Sequence, residues 1–176
     1  MSQIYIECLL QTHFVIVARK VRPDLLNNWL NRLRTRFGSI IIDKKGALHK
    51  LTRALRSGAL VGLVIDQGTT FSEGVEIKFL GKPATATPSA AILARRFGSP
   101  VFPVFCVRED DGILTVIVEA PLALKKTDDR NADIIENTQL MNDAIEKMIM
   151  AYPDQWFWFH KRWKRHYPDI YIDNTQ

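Results

Sequence analysis

The sequence predicts an α/β domain: a mainly parallel sheet with one antiparallel hairpin, and helices on both faces. Three observations carry that expectation. Short β-branched apolar runs alternate with stretches of helical periodicity along the chain. Two of the runs, 59–65 (ALVGLVI) and 99–107 (SPVFPVFCV), are almost continuously apolar, as befits strands covered on both sides. Between two such runs, Asp110-Asp111-Gly112 is a turn signal that joins them as a hairpin.

Taken in order, residues 13–18 (HFVIVA) read as a strand. Pro23 opens a helical pattern in which Leu26, Trp29, Leu30, Leu33 and Phe37 recur at helical spacing, with Gly38 placed to stop it. Residues 39–42 read as a strand. Leu48, Leu51 and Leu55 form the next helical stripe, ended by Gly58, and 59–65 is the strand that follows. Residues 66–74 are a polar loop with two glycines, and 75–80 alternates as a half-buried strand does. Thr87-Pro88 suits a helix start and Gly98 its end. Strand 99–107, the turn and strand 113–118 come next. Ile134, Thr138, Met141, Ile145, Met148 and Tyr152 stripe a long helix, after which Pro153 begins an aromatic and basic segment. The apolar stripes, Trp29 included, are expected in the core.

Length and composition fit one domain over residues 1–176: 176 residues suffice for a core, and 47% apolar with 24% charged residues is an ordinary globular balance that excludes disorder as the starting assumption. The net charge of +5 is compatible with phosphate, nucleic-acid or anionic-membrane partners and selects none of them. Cys8 and Cys106 lie far apart and outside any CxxC or Cys/His cluster, so neither a zinc site nor any other cofactor is expected, and Cys106 reads as a structural thiol in a strand. No apolar run reaches the roughly 18 to 20 residues of a membrane-spanning helix. In α/β sheets ligands bind beyond the C-terminal ends of strands, so Asp66-Gln67, directly after the most apolar strand, is the first candidate site.

Four blocks carry a family resemblance. The first is Val17-Ala18-Arg19-Lys20 with Asn27 and Asn28 on the following helix; the second runs from Ser57-Gly58-Ala59 to Val64-Ile65-Asp66-Gln67. The third is VEIKFLGKP at 75–83, through Thr85 and Thr87 into the helix at 90–94, and the fourth is YPDQWFWFHKRWK at 152–164. Each is weak alone, but in this order and spacing they resemble the bacterial lipid A biosynthesis acyltransferases, the late lauroyl/myristoyl type within the lysophospholipid acyltransferase superfamily. The resemblance implies transfer of a fatty acyl chain from acyl carrier protein to a hydroxyl of a lipid A precursor, at the cytoplasmic face of the bacterial inner membrane. It implies as partners acyl carrier protein carrying its acyl chain, the lipid A precursor and an anionic membrane surface, and no nucleic acid.

One departure concerns catalysis. The family's signature is a histidine, four residues and an acid: the histidine takes the proton of the acceptor hydroxyl and the acid orients it. The residues five after His13, His49, His160 and His166 are Ala18, Ala54, Arg165 and Tyr171, and Glu7 has Ser2 where the histidine would stand. No residue of the chain is therefore assigned as catalytic. The chain is expected to be the C-terminal portion of such a domain, incomplete at its N-terminus and peripheral to the membrane in this form.

The substrate-binding candidates are Arg19, Asp66 and Gln67. An arginine at a strand end suits a lipid phosphate through its bidentate fork, or it is simply solvated. Asp66 positions Arg19 or a sugar hydroxyl, or it caps its own loop; Gln67 reads a hydroxyl or an amide. If their two strands are parallel, Arg19 and Asp66 share one pocket. The small residues of 85–91 (TATPSAA) allow close approach of a ligand or merely tight helix packing. In the C-terminal segment, Lys161, Arg162, Lys164 and Arg165 beside Trp156, Trp158 and Trp163 suit membrane or phosphate contact, nucleic-acid stacking, or a core staple; Trp156 is expected mostly in the core and the basic run exposed. Arg32, Arg34 and Arg36 extend a cationic surface or are solvated. Two rivals stand beside the acyltransferase: an enzyme of another class built around Asp66, and a basic, non-enzymatic nucleic-acid-binding module.

Overall fold

The computed structural model describes residues 14–18, 20–44 and 46–171. They belong to two compact units, residues 1–64 and 65–176.

In the first unit, strand β1 (Phe14–Ala18) lies between β2 (Ile40–Asp43) and β3 (Leu60–Gly62) and runs parallel to both. Parallel neighbours need crossovers, and helices α1 (Asp24–Arg34) and α2 (Ala47–Arg56) supply them. Val15 and Ile16 are adjacent, so their side chains point to opposite faces; both are buried, which means that both faces of the central strand are covered. The buried Ser39 hydroxyl accepts the Phe14 N–H at 3.0 Å and ties the entry of β2 to that of β1.

Two expectations fail in this unit. The strand at 59–65 is only three residues long, because its ladder extends no further than the pairing of Phe14, Val15 and Ile16 with Leu60, Val61 and Gly62. Apolarity alone does not make a strand without a partner to bond. Helix α1 buries none of its residues, and Leu25, Leu26 and Trp29 are exposed rather than core. Helical period identifies an apolar face but not what packs on it.

In the second unit, β4 (Val75–Phe79) and β5 (Lys82–Ala86) form an antiparallel hairpin, and β6 (Val104–Arg108) and β7 (Leu114–Val118) form another. The β6–β7 hairpin is the expected one, turned by Gly112 at φ 83°. The strand begins at Val104 rather than at 99, because Pro100 and Pro103 cannot donate to a ladder. The β4–β5 hairpin was not expected, since KPATA has poor strand propensity. Its turn, Leu80-Gly81, has positive φ at both positions (49° and 74°), as a two-residue hairpin of the primed type requires. Leucine is unusual there; its side chain packs on the core cluster of Ile77, Phe79, Ala84, Ala86 and Ile149, which offsets the backbone cost. Pro83 is tolerated because it faces Lys78, whose carbonyl turns away to accept from the Gln139 side-chain amide and asks no N–H of residue 83. The architecture is thus mixed α/β. Among the described residues only the first unit's three strands are parallel, and the other four lie in antiparallel pairs.

Helix α3 (Ser89–Phe97) ends on Gly98 in the left-handed region, as expected, and buries Ala91, Leu93 and Ala94. Helix α4 (Arg130–Ala151) has 22 residues, about 33 Å by its rise. The Asp129 carboxylate caps it by accepting the N–H groups of Asn131 and Ala132. Its buried side is largely polar: Asp133, Asn137, Thr138 and Asn142 accompany Met141 and Ile149. Every one of these four has its partner. Asp133 accepts the Thr127 N–H and hydroxyl and pairs with Arg95 at 3.2 Å. Asn137 exchanges two hydrogen bonds with the backbone of Lys125, Thr138 bonds back to the Ile134 carbonyl, and Asn142 accepts from Arg162. No helix among the described residues is long and apolar enough to cross a membrane.

Candidate functional site at the C-terminal aromatic segment

After α4 the chain makes short 3-10 turns at Pro153–Gln155 and Pro168–Tyr171, and the segment between them folds back over the β4–β5 hairpin. The segment 156–162 (WFWFHKR) nearly alternates. Trp156, His160 and Arg162 turn inward, and Phe157, Phe159 and Lys161 outward. Trp156 and Trp163 both pack on Phe79, at ring-centre distances of 5.7 and 6.0 Å, and the Trp163 indole N–H donates to the Phe79 carbonyl at 3.2 Å. Trp156 is therefore a core residue, as expected, and its polar edge has a second task. Its Nε1–H donates to Asp66 Oδ2 at 3.3 Å, fixing one oxygen of the carboxyl. The other oxygen, Oδ1, is buried and has no hydrogen-bond partner among the described residues.

Arg162 is placed otherwise than its sequence neighbours suggested. It is 1% exposed, the largest fully buried side chain among the described residues. Its guanidinium donates to Asn142 Oδ1 at 2.7 Å and to the Thr85 carbonyl at 3.3 Å, and lies 4.5 Å from the centre of the Phe79 ring. Burial pushes its pKa down to about 10, with Asp66 and Glu146 pulling the other way. A charge so deep keeps its proton because carbonyl oxygens and an aromatic face replace water. Arg162 thus leaves the exposed basic run, where the sequence placed it, while Lys161, Lys164 and Arg165 remain exposed. A buried arginine cannot meet a lipid headgroup; it pins β5, α4 and the aromatic segment together.

His160 lies beside this pin, and its Nδ1 is buried without a partner among the described residues. Burial and then the Arg162 guanidinium lower its pKa, against the pull of Asp66. A depressed pKa favours the neutral ring, so the contribution of His160 to stability is complete above about pH 6.5 and is lost as pH falls through the depressed folded-state value. We expect the urea midpoint to drop between pH 7 and pH 5, and His160→Gln to reduce that drop; an unchanged pH dependence in the variant would refute this role.

Loop 66–74 reaches the pin through glycine. A Cβ at Gly68 would stand 3.1 Å from the Arg162 carbonyl oxygen, and one at Gly74 would stand 2.5 Å from Thr69 Cγ2 and 3.0 Å from the Ala86 carbonyl. The Thr85 hydroxyl, buried at the end of β5, donates to the Thr69 carbonyl at 2.6 Å and holds the loop down. The small residues around Thr85 therefore pack the hairpin and its loop closely. Gln67 is exposed beside Asp66. Arg19 lies outside the described residues, and so does its expected pairing with Asp66. Cys106 is half-buried on β6, and burial raises its thiol pKa; Cys8 lies outside the described residues. No three His, Cys, Asp or Glu side chains among the described residues are grouped to hold a metal.

The family described as bacterial lipid A biosynthesis acyltransferase matches residues 2–165. The chain belongs to this family. It is 31% identical over 144 residues to a lipid A biosynthesis lauroyltransferase of Escherichia coli, which covers 80% of this chain and 44% of the relative. It is 25% identical over 154 residues to a phosphatidylinositol mannoside acyltransferase of Mycolicibacterium smegmatis, covering 85% of this chain and 48% of the relative. The chain thus spans about half the length of the curated relatives it matches. Family membership favours the acyltransferase over both rivals. All four blocks fall within the family match, so Asp66 and the aromatic segment of this acyltransferase-family chain are read together.

Sequence reasoning proposed Asp66 and did not anticipate what holds it. Trp156 as a donor to Asp66, Asn142 as the acceptor for Arg162, and His160 at the same locus were not singled out. The near-alternation of this segment is one of burial and not of residue type, so the sequence held no signal that put residue 162 on the side of 156 and 160.

Proposed function

We propose that this chain takes part in transferring a fatty acyl chain from acyl carrier protein to a hydroxyl of a lipid A precursor, and that Asp66 and Gln67 belong to its acceptor-binding part. The observation that carries the role of Asp66 is its asymmetry: one carboxyl oxygen is committed to Trp156 and the other is buried without a partner among the described residues. Such an oxygen is costly to leave unpaired, and it suits a hydroxyl donor of a sugar. Supporting the reaction are the family match and the likeness to the lauroyltransferase. Supporting a glycolipid acceptor more generally is the second relative, whose name specifies a mannoside of phosphatidylinositol. Arg19 remains our candidate for the acceptor's phosphate. The partners are then charged acyl carrier protein, the lipid A precursor and an anionic membrane surface, which places the chain at the cytoplasmic face of the inner membrane.

Binding of a lipid A precursor in detergent micelles tests the acceptor role. Asp66→Asn keeps an oxygen for Trp156 and turns the other acceptor into a donor. We expect affinity to fall about tenfold or more, as for loss of one hydrogen bond to a charged group. Unchanged affinity would remove Asp66 from the acceptor site.

A further inference from the structure

We propose that the turn Phe157-Trp158-Phe159 is a bilayer-inserting knob, and that Lys164 and Arg165 close behind it bind the phosphates of anionic lipid. The exposures are large for aromatic residues: 61% for Phe157, 49% for Trp158 and 88% for Phe159. Their placement is not that of scattered surface residues. The Phe157 and Phe159 rings lie 5.9 Å apart and form one apolar projection. Contiguous apolar surface of this kind marks a contact site.

The projection is held out by the fold. The Trp158 Nε1–H donates to the Pro153 carbonyl at 2.6 Å, and the His160 N–H to the Phe157 carbonyl at 3.2 Å. Trp156 and Arg162 anchor the two ends of the turn in the core. The rings therefore cannot fold inward without breaking that framework.

The charges select the occupant. From 155 to 168 there is no carboxylate, Lys161, Lys164 and Arg165 are exposed, and one exposed carboxylate from elsewhere, Glu76, lies 3.8 Å from His166. Phe71, a fourth exposed ring, sits edge-on to His166 at 5.2 Å, next in the chain to Arg165. Exposed aromatic rings bordered by cations match the bilayer interface, where rings sit among headgroups and cations meet phosphate. Trp156 at the root of the turn donates to Asp66. Insertion would thus hold Asp66 near headgroup depth, so that a lipid acceptor is met without leaving the bilayer. That last consequence rests on the acceptor reading of Asp66; the docking itself does not.

The test is co-sedimentation of the chain with vesicles of phosphatidylglycerol and phosphatidylcholine in a one-to-three ratio. Lys164→Gln with Arg165→Gln should weaken binding about thirtyfold, taking the usual contribution of each cation near an anionic surface, and added salt should have the same effect. Phe157→Ser with Phe159→Ser should weaken it about tenfold or more, at high salt as well as low. All four positions are exposed, so circular dichroism and thermal midpoint should match the parent chain. The vesicles hold no lipid A precursor, so loss of acceptor binding alone leaves this readout unmoved, which separates failure here from failure of the acceptor site. Equal vesicle binding by parent and aromatic variant would overturn the proposal. So would a parent chain that self-associates through these rings, or one that binds soluble RNA in preference to vesicles, with the aromatic variant losing that property instead.

Discussion

Incubated with acyl carrier protein bearing a fatty acyl chain and with a lipid A precursor, the 176-residue chain is expected to show no turnover above about 10⁻² to 10⁻⁴ of that of the lauroyltransferase it resembles. A positioned general base contributes about 10² to 10⁴-fold. The sequence holds no histidine followed, five positions on, by an acid. The histidine nearest the candidate site, His160, does not substitute for that pair. Its neighbours are an arginine that disfavours its protonation and a carboxyl already bonded to Trp156, and one ring nitrogen is buried. Acyl transfer by the chain at a rate comparable to the relative's would refute this, and His160→Gln would then be the first variant to examine.

The second large effect belongs to Arg162. Arg162→Ala should destabilise the second unit by about 3–5 kcal/mol, which combines a core truncation with buried acceptors left unpaired. Three segments distant in sequence depend on this side chain: β5 through the Thr85 carbonyl, α4 through Asn142, and the aromatic segment that carries it. Two effects oppose. Removing the guanidinium relieves the cost of a buried charge, and it strands the Asn142 oxygen, empties the space over Phe79 and frees the aromatic segment. The second group wins because two acceptors and the Phe79 face already offset much of the cost of the buried charge, even with its Nε lacking a partner among the described residues. Arg162→Lys should recover only part of the loss, since a single ammonium cannot reach both acceptors in the same fork. Urea unfolding followed by tryptophan fluorescence reads this directly, three of the four tryptophans being at 156, 158 and 163. A loss below about 1 kcal/mol for the alanine variant would show that the pin is dispensable.

The elements with clear period or clear punctuation were legible in the sequence. Strand β1, helix α2, the β6–β7 hairpin with its Asp-Gly turn, helix α3 with Gly98 at its end and the long α4 all stand where pattern placed them, within a few residues. The β4–β5 hairpin was not legible, because its specification is tertiary: Pro83 and the small residues of KPATA act as a strand only against β4 and under Trp156 and Trp163. The polar side of α4 drew no expectation, for a similar reason. The burial of Asp133, Asn137 and Asn142 depends on partners at Thr127, Lys125 and Arg162 that lie outside the helix. The candidate site was half legible. Asp66 follows from its place after an apolar run, but nothing in a string of letters separates Arg162 from Lys161, Lys164 and Arg165. What separates them is which side of a nearly alternating segment meets the core, and that alternation is one of burial and not of residue type.

Three side chains of the second unit share one geometry. Gln139, Gln155 and Asn137 each exchange two hydrogen bonds with the backbone of a single residue: Lys78, Arg108 and Lys125 respectively. A carboxamide is chemically a peptide group, so each of these residues acts as one rung of a strand supplied from a helix or a turn. Asn137 and Gln139 are two positions apart on α4 and therefore project to nearly opposite sides of it. Helix α4 consequently stands where a strand would, bonded on one side to β4 and on the other to the extended backbone at Lys125. An unpaired sheet edge invites pairing with another chain. Here the rung beside Lys78 is filled from within, by a group too short to be extended by a further strand, so at that rung β4 offers nothing to a neighbouring chain.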